Sequence, residues 1–233
     1  MTHMHTIAIL GGTGREGSGL ALRWAKAGHR VILGSRDAAK AAAAAVAMNA
    51  RLGSSGITGL ANRDAAEAAD IVVLTVPYGA QRATVAEVSA ALNGKILVDA
   101  TVPLVPPKVA RVQLPPGGSA VAAIQELLGP GVRVVAAFQN VSAEHLANLD
   151  HEVDCDVLIC GDDVKARETV VGLAGDIGLR GIHAGAIVNA AAVEALTSVL
   201  IAINMRYKVP GAGIRITGLP APGARANKAS SSD

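Results

Sequence analysis

The sequence predicts an α/β protein: a Rossmann doubly wound parallel sheet with a smaller C-terminal α/β lobe that ends in a buried helix. Two observations predict this class. Short runs of Val, Ile and Leu, apolar along their whole length, alternate with Ala-rich helical segments, which is typical of a parallel sheet covered on both faces. A glycine-rich turn also follows the first apolar run, as it does in dinucleotide-binding βαβ units.

The alternation defines the elements of the first hundred residues. We predict strands at 6–10, 30–33, 71–76 and 95–98, and helices at 17–27, 37–52, 64–69 and 80–92. The helix at 37–52 is dense in Ala and free of Gly and Pro, which favours an uninterrupted helix.

A segment rich in proline and glycine, at 101–118, then breaks the pattern and is predicted to be a long loop of the kind that forms lids or binding walls. Beyond it we predict helices at 119–128, 143–148, 164–177 and 186–206, and strands at 132–136 and 156–160. Asp162 and Asp163 are expected to cap the helix that ends at 177.

Composition narrows the range of partners. With a net charge of +2, 2% aromatic residues and no basic stripe, the chain is not expected to bind nucleic acid. Cys155 and Cys160 have no histidine pair near them, which favours two buried thiols in a reducing cytoplasm over a metal site. No secretory signal is predicted. Asn189 and Glu194 interrupt the apolar segment at 186–203, which favours a buried helix over a membrane span.

The glycine motif is Gly12, Gly14 and Gly17, placed between a strand and a helix. Its first glycine permits a tight turn, its second lets the backbone approach a pyrophosphate, and its third lets the helix pack on the strand. The helix N-terminus then offers free N–H groups to the phosphates. The nicotinamide half of the dinucleotide is expected to pass the end of the strand at 71–76, formed by Thr75, Val76 and Pro77, although an ordinary strand-to-helix turn would have the same pattern.

The second strand ends in Ser35 and Arg36, with Lys40 one helical turn further on. An NAD-binding unit normally has Asp or Glu here for the ribose 2′-hydroxyl. A guanidinium and an ammonium group suit a 2′-phosphate instead, so the sequence predicts NADP(H). The alternative is a solvated helix start, but cations at a helix N-terminus oppose its dipole.

The chain resembles the NADPH-dependent coenzyme F420 reductases (F420H2:NADP oxidoreductases), in their bacterial form. Besides the glycine motif, the matching segments are 34–37, 98–107, 138–143, 154–163, 193–197 and 211–218, which together cover almost the whole chain. The resemblance implies hydride transfer between NADP(H) and the deazaflavin coenzyme F420. It also implies a Rossmann domain at 1–140 and a lobe at 141–220 that completes the F420 cleft, before a tail at 221–233 that is expected to be disordered.

The resemblance also implies site residues. NADP contacts are expected at Thr13, Gly14, Arg15, Glu16, Ser35, Arg36, Lys40, Val76, Ala143 and Ala212. The F420 ring is expected to lie against the 101–107 loop, at Thr101, Val102 and Pro103. Gln139 and Asn140 are expected either to donate hydrogen bonds to the ring or to cap turns. Asn189 and Thr197 are expected nearby. One departure is that many members carry other residues at Ala190 and Ala191, the latter sometimes an Arg that is a candidate for holding the acidic F420 tail.

The chemistry requires two stacked rings in a dry cleft, and therefore neither a catalytic side chain nor a metal. His145 as a general acid is the less favoured interpretation, and a surface histidine the more favoured one. The F420 tail is anionic, so its candidate partners are cations that could equally be solvated surface residues: Lys108, Arg111, Arg206 and Lys208.

Other functions are weighed against this one. A short-chain reductase needs a Tyr-x-x-x-Lys pair, which Tyr78 and Tyr207 do not form. An imine or carbonyl reductase of the pyrroline-5-carboxylate reductase type, and a non-catalytic NADP-sensing protein, remain alternatives.

We also predict a homodimer that buries the helix at 186–206, because this helix is apolar around much of its circumference. Glu194 within it then needs Arg206 or a backbone N–H as a partner.

Overall fold

The computed structural model describes residues 4–219 and contains one eight-stranded sheet. Its strands are β1 (Thr6–Leu10), β2 (Arg30–Ser35), β3 (Ile57–Ala61), β4 (Ile71–Leu74), β5 (Ile96–Asp99), β6 (Arg133–Ala136), β7 (Asp156–Gly161) and β8 (Arg180–His183). They are arranged in the order β3-β2-β1-β4-β5-β6-β7-β8. All neighbouring strands are parallel except β6 and β7, which are antiparallel.

Eight α-helices accompany the sheet in the described part of the chain: α1 (Arg15–Lys26), α2 (Ala38–Leu52), α3 (Asn62–Ala68), α4 (Tyr78–Val88), α5 (Ala120–Leu128), α6 (Ala143–Ala147), α7 (Val164–Asp176) and α8 (Ala190–Tyr207). Short 3₁₀ turns lie at Ser89–Leu92, Gly129–Gly131 and Ile187–Asn189. The Rossmann α/β class is confirmed, and the predicted loop at 101–118 has no helix or strand. The tail predicted at 221–233 lies outside the described residues.

Two strands of the sheet, and the direction of a third strand, differ from the prediction. The edge strands of the sheet, β3 and β8, were not predicted from the sequence. In β3 the glycine at 59 packs so closely on α2 that an added Cβ would lie 2.2 Å from the Ala41 carbonyl carbon. One strand pair departs from the predicted parallel arrangement, because β7 runs antiparallel to β6. For β7 to run parallel to β6, the connection between them would have to cross the sheet. The helix in that connection, α6, is only five residues long and packs against α1.

Arg23 and Trp24 on α1 join the Rossmann part to the segments that follow it. The Arg23 guanidinium donates to four backbone carbonyls around α6, those of His145, Leu146, Asn148 and His151. Trp24 is fully buried, donates Nε1–H to the Leu173 carbonyl and contacts Phe138 edge to face. The predicted domain boundary at 140 falls between β6 and β7, which pair directly, and the division remains a prediction.

The last helix, α8, buries one face and exposes the other. Glu194 lies on the buried face and accepts hydrogen bonds from Ser119 Oγ and from the N–H groups of Ala120 and Val121, so the predicted backbone partner is confirmed. Val199, Ile203, Met205 and Tyr207 are exposed. Among residues 4–219, the stretch Ile187–Tyr207 is long and apolar enough to cross a membrane by length and composition alone, and a third of its most apolar window is buried in the protein.

The two cysteines lie at the start of and within β7. Both are free and buried, as the sequence analysis predicts. The described residues contain no cluster of three His, Cys, Asp or Glu side chains that could hold a metal ion. Asp163 caps α7 by accepting from the Ala166 N–H, whereas Asp162 accepts from the Ile187 N–H instead.

Candidate functional site

The glycine-rich turn lies at the carboxyl edge of the sheet, between β1 and α1. The left-handed residue of the turn is Gly11, with a φ of 82°. Gly12 is required for packing, because an added Cβ would lie 2.8 Å from the Ile9 carbonyl oxygen. A Cβ on Gly17 would lie 2.5 Å from Thr75 Oγ1. The glycines therefore bring the N-terminus of α1 close to the end of β4, with its first N–H groups free to bind phosphate.

The predicted 2′-phosphate residues meet at one small cavity of about 220 Å³ beyond β2. Its lining includes Thr13, Ser35, Arg36 and Lys40. Arg36 and Lys40 are exposed, and neither forms an ion pair within residues 4–219. Asp37, the one carboxylate adjoining them in the sequence, caps α2 by accepting from the Lys40 N–H. The cavity therefore presents cationic groups, as a phosphate site requires.

Two adjoining cavities, of about 760 and 480 Å³, form a cleft between the ends of β4 and β5, the 101–118 loop and α8. The larger one is lined by the predicted residues Gly14, Arg15, Glu16, Thr75, Val76, Pro77, Thr101, Val102, Gln139 and Thr197. The smaller one is lined by Arg15, Gln139, Asn140, Ala143, Thr197 and Ala212. Residues expected to hold the cofactor and residues expected to hold the second substrate are thus brought together in one cleft.

Gln139 and Asn140 are buried in the wall of this cleft, but their amide NH₂ groups are already used. Gln139 Nε2 donates to the Asp99 carbonyl at 2.8 Å, and Asn140 Nδ2 donates to the Val193 carbonyl at 3.0 Å. Each amide thus uses an N–H group on the protein's own backbone, and its donation to the second substrate stays a prediction. Their oxygens, Gln139 Oε1 and Asn140 Oδ1, are buried without a partner among the described residues. The wall therefore offers hydrogen-bond acceptors that suit the N–H groups of a carboxamide or a pyrimidine ring.

Several candidate residues lie away from the two cavities of the cleft. Pro103 is buried in the loop, and Asn189 is exposed at the end of a 3₁₀ turn, where its Nδ2 donates to the Ala184 carbonyl. The exposed cations Lys108, Arg111, Arg206 and Lys208 form no ion pair within residues 4–219 and line neither cavity. Ala190 is buried and Ala191 half-buried, and a Cβ on Gly118 would lie 3.9 Å from that of Ala191, so a small residue there packs beside the end of the loop.

His145 does not line the cleft either. Its ring contacts that of His151, with centroids 4.4 Å apart. Burial, and secondarily the charge of His151, lower the pKa of His145, so its neutral form is favoured at pH 7. His145 is half-buried on α6, and the choice between a general acid and a surface histidine stays a prediction.

Three carboxyl groups lie close together beside the cleft, and Asp99 is the one of them that was not singled out from the sequence. Burial, followed by the charge of Asp99, raises the pKa of Glu16 to about 8. Burial also raises the pKa of Asp99, against hydrogen bonds from Thr101 and Gln81 that lower it. Burial raises the pKa of Glu194, and the charge of Asp99 adds to this. Asp99 lies between two other acids in the tertiary structure, a juxtaposition for which the sequence contains no signal.

Replacing Glu16 with glutamine is expected to change how stability depends on pH. The pKa of Glu16 in the folded protein, about 8, lies above the ordinary value of 4.5 for a glutamic acid, so its contribution to stability is present below pH 4.5 and is lost as the pH rises through 8. Between pH 5 and pH 9 the melting temperature of the wild type should fall by at least about 3 °C more than that of Glu16→Gln, which corresponds to about 1 kcal/mol in a chain of this size. Thermal unfolding monitored by circular dichroism across this range measures the difference, and parallel curves for the two proteins would contradict it.

Comparison with known proteins agrees with the geometry. Residues 6–103 match a family model described as "NADP oxidoreductase coenzyme F420-dependent". The "F420-dependent NADP reductase" of Methanocaldococcus jannaschii is 44% identical over 221 residues, covering 91% of this chain and 98% of that protein. The protein of the same name from Methanothermobacter thermautotrophicus is 45% identical, covering 92% of this chain and 95% of its own.

A solved structure is similar over nearly its whole length. It is described as a putative F420-dependent NADP reductase from Arthrobacter sp. FB24, with a TM-score of 0.76 and 26% identity. The alignment covers 91% of this chain and 99% of that one. The similarity thus spans nearly the whole of both chains and is not restricted to one domain of a larger enzyme.

Proposed function

Because the chain belongs to the family of coenzyme F420-dependent NADP oxidoreductases, we propose that its cleft holds NADP(H) and F420 side by side for direct hydride transfer. The chain is an oxidoreductase that transfers a hydride between NADP(H) and the deazaflavin coenzyme F420. The observation that carries this function is the identity of about 45% with reductases of that name over almost the whole chain.

The test is an assay with NADPH and oxidised F420 that follows the absorbance of both. Loss of the two absorbances together, in equal amounts, is the expected result. Oxidation of NADPH by a small imine or carbonyl compound, with none by F420, would favour the pyrroline-5-carboxylate reductase type of function instead. Tight NADP binding without turnover of any acceptor would favour a sensing protein.

We place the adenosine 2′-phosphate of NADP in the cavity lined by Ser35, Arg36 and Lys40, and the pyrophosphate at the N-terminus of α1. The support is the clustering of exposed, unpaired cations at the end of β2, together with the use of Asp37 as a helix cap. The nicotinamide half then extends past Thr75 into the large cleft, because that residue borders both cavities.

We place the F420 ring in the remainder of the cleft, between the 101–118 loop and α8. F420, when bound, supplies the carbon that accepts or returns the hydride. The chain's own contribution is to bind and align: Val102 and Leu104 close the cleft on the loop side, and Ala143 and Ala212 line the smaller cavity. The buried acceptors Gln139 Oε1 and Asn140 Oδ1 fit a ligand with N–H groups along its edge. No side chain is assigned a catalytic role in the hydride transfer, and no metal is assigned.

We propose that the protein is a cytoplasmic homodimer without membrane or nucleic-acid partners. Free buried cysteines and a net charge of only +2 support the location and the absence of nucleic acid. The dimer is supported by the exposed apolar side chains of α8, since a contiguous patch of this kind is typical of a protein–protein interface. The same contact would cover the helix that otherwise has the composition of a membrane span.

Light scattering at micromolar concentration should therefore give about twice the chain mass. Ile203→Asp, in the exposed face of α8, is expected to shift the protein to the mass of one chain because a charge in an apolar interface is strongly unfavourable. Val46→Asp, at an exposed position of α2, is the matched control and should leave the mass unchanged. A wild-type monomer, or equal effects of the two variants, would contradict the dimer.

A further inference from the structure

Glu16 is half-buried at the wall of the cleft, and unlike the buried Asp156 and Glu194 it has one carboxyl oxygen enclosed without a partner among residues 4–219. Asp156 accepts from the Arg180 guanidinium at 2.8 Å, and that contact holds the pKa of Asp156 low. Glu194 accepts from one hydroxyl and two N–H groups at the start of α5. Glu16 Oε1 is buried without a hydrogen bond, and Glu16 forms no ion pair within residues 4–219. Enclosing a carboxylate oxygen without a cation or a donor disfavours the charged form, so this placement favours the protonated form of Glu16.

Asp99 decides which of the two neighbouring acids holds that proton. Its carboxylate accepts from Gln81 Nε2 at 2.7 Å and from the Thr101 N–H at 2.8 Å. Hydrogen bonds donated to a carboxylate favour its charged form. The negative charge therefore belongs on Asp99 and the proton on Glu16, because two adjacent buried carboxylates without a cation cannot both ionise readily.

Glu16 also lines the larger cavity together with Thr75, Val76 and Pro77, the residues beside which the proposed function places the nicotinamide ring. That ring is neutral in NADPH and carries a positive charge in NADP⁺. We propose that Glu16 holds a proton in the free protein and in the NADPH complex, and releases it to solvent when NADP⁺ occupies the cleft. This inference rests on the proposed function, and it makes the preference for oxidised over reduced cofactor depend on pH.

Among the described residues, few other titratable groups face the part of the cleft around Glu16. Arg15 on α1, Tyr78 on α4 and Glu144 on α6 line the adjoining cavities, while Glu194 on α8 acts on the far side of Asp99. Arg15 is exposed and forms no ion pair within the described part of the chain. The charge that acts on Glu16 in the ligand-free protein is that of Asp99, which is negative and favours retention of the proton.

The size of the effect follows from ordinary electrostatics. A positive charge within about 4–6 Å lowers the pKa of a carboxyl group by about 1–3. Starting from about 8 for Glu16, and with the diphosphate common to both complexes, NADP⁺ at pH 7.5 should leave Glu16 with about half a proton fewer than NADPH does. The affinity for NADP⁺ relative to NADPH should accordingly rise about tenfold between pH 6 and pH 9.

The test is isothermal titration calorimetry of the full chain with NADP⁺ and with NADPH at pH 7.5, in two buffers of different ionisation enthalpy. The dependence of the heat on the buffer gives the number of protons released. Any proton exchanged by the 2′-phosphate is common to the two ligands and cancels in their difference. The expected difference is about half a proton or more for the wild type and none for Glu16→Gln. Glu144→Gln, an exposed carboxylate at the rim of the same cleft, is the matched control and should retain the wild-type difference.

Equal proton release for NADP⁺ and NADPH by the wild type would overturn the inference, and so would a difference that survives in Glu16→Gln or disappears in Glu144→Gln. If Glu16→Gln does not fold, the infrared band of a protonated carboxyl group in the wild type provides the second measurement. This band should be present with NADPH and lost with NADP⁺, and its persistence with NADP⁺ would overturn the inference. Failure of either cofactor to bind would instead contradict the proposed function.

Discussion

Leucine in place of Ala212 or Ala143 is expected to lower kcat for hydride transfer about a hundredfold. Both alanines line the smaller of the two adjoining cavities, where the cofactor ring and the second ring are proposed to meet. The backbone at Ala212 is fixed, since its N–H donates to Asn204 Oδ1 at 2.7 Å, so a longer side chain must project into the cavity. A displacement of about 1 Å between reacting groups can lower a rate around a hundredfold.

Stopped-flow measurement of hydride transfer, together with separate titrations of NADPH and F420, checks this expectation. His145→Ala is the comparison, because His145 lies two residues from Ala143 in the sequence but lines neither cavity. This variant should lower kcat by less than about tenfold, well short of the 10²–10⁴ lost with a general acid or base. If His145→Ala abolished turnover while both ligands still bound, alignment of the rings would not be the main source of the rate.

The sequence predicts those parts of the fold whose signal is local. The apolar runs of β1, β4 and β5, the Ala-rich α2 and the proline-rich loop are all present where their patterns indicate. The edge strands β3 and β8 escape prediction because they are short, contain glycine and gain their order from neighbours. The reversed direction of β7 depends on how Arg23 holds the segment around α6, a contact between residues more than 100 positions apart.

The candidate site also contains parts that a local sequence signal predicts and parts that depend on contacts between distant residues. The phosphate turn and the cationic end of β2 are contiguous in sequence, and the structure brings them to one edge. The direction in which Gln139 and Asn140 point depends on carbonyls of β5 and α8, which the local sequence does not indicate. Asn62, in the 2′-phosphate cavity, was missed together with β3, the strand that it follows. The buried acids around Asp99 come from α1, β5 and α8, and only the assembled sheet brings them together.

Arg36→Ala is expected to weaken NADPH binding ten- to hundredfold and to leave NADH binding nearly unchanged. Arg36 is exposed, lines the small cavity beyond β2 and has no carboxylate partner within residues 4–219, so its guanidinium is available to a phosphate. A hydrogen bond to a charged group contributes roughly 1.5–3 kcal/mol, and each 1.4 kcal/mol or so corresponds to about tenfold in affinity. Added salt should reduce the difference between the two cofactors, because the contact is exposed to solvent.

Fluorescence titration of the wild type and the variant with NADPH and NADH measures this selectivity. Arg63→Ala is the matched control, since Arg63 is equally exposed but pairs with Glu67 on α3 and does not line the cavity. It should leave both affinities at the wild-type level. Equal losses for NADPH and NADH in Arg36→Ala would mean that Arg36 does not contact the 2′-phosphate, because NADH lacks that group and shares every other part of the ligand. In that case selectivity for NADP(H) would depend on Lys40 and Ser35, the two remaining polar groups at the end of β2 that face the cavity.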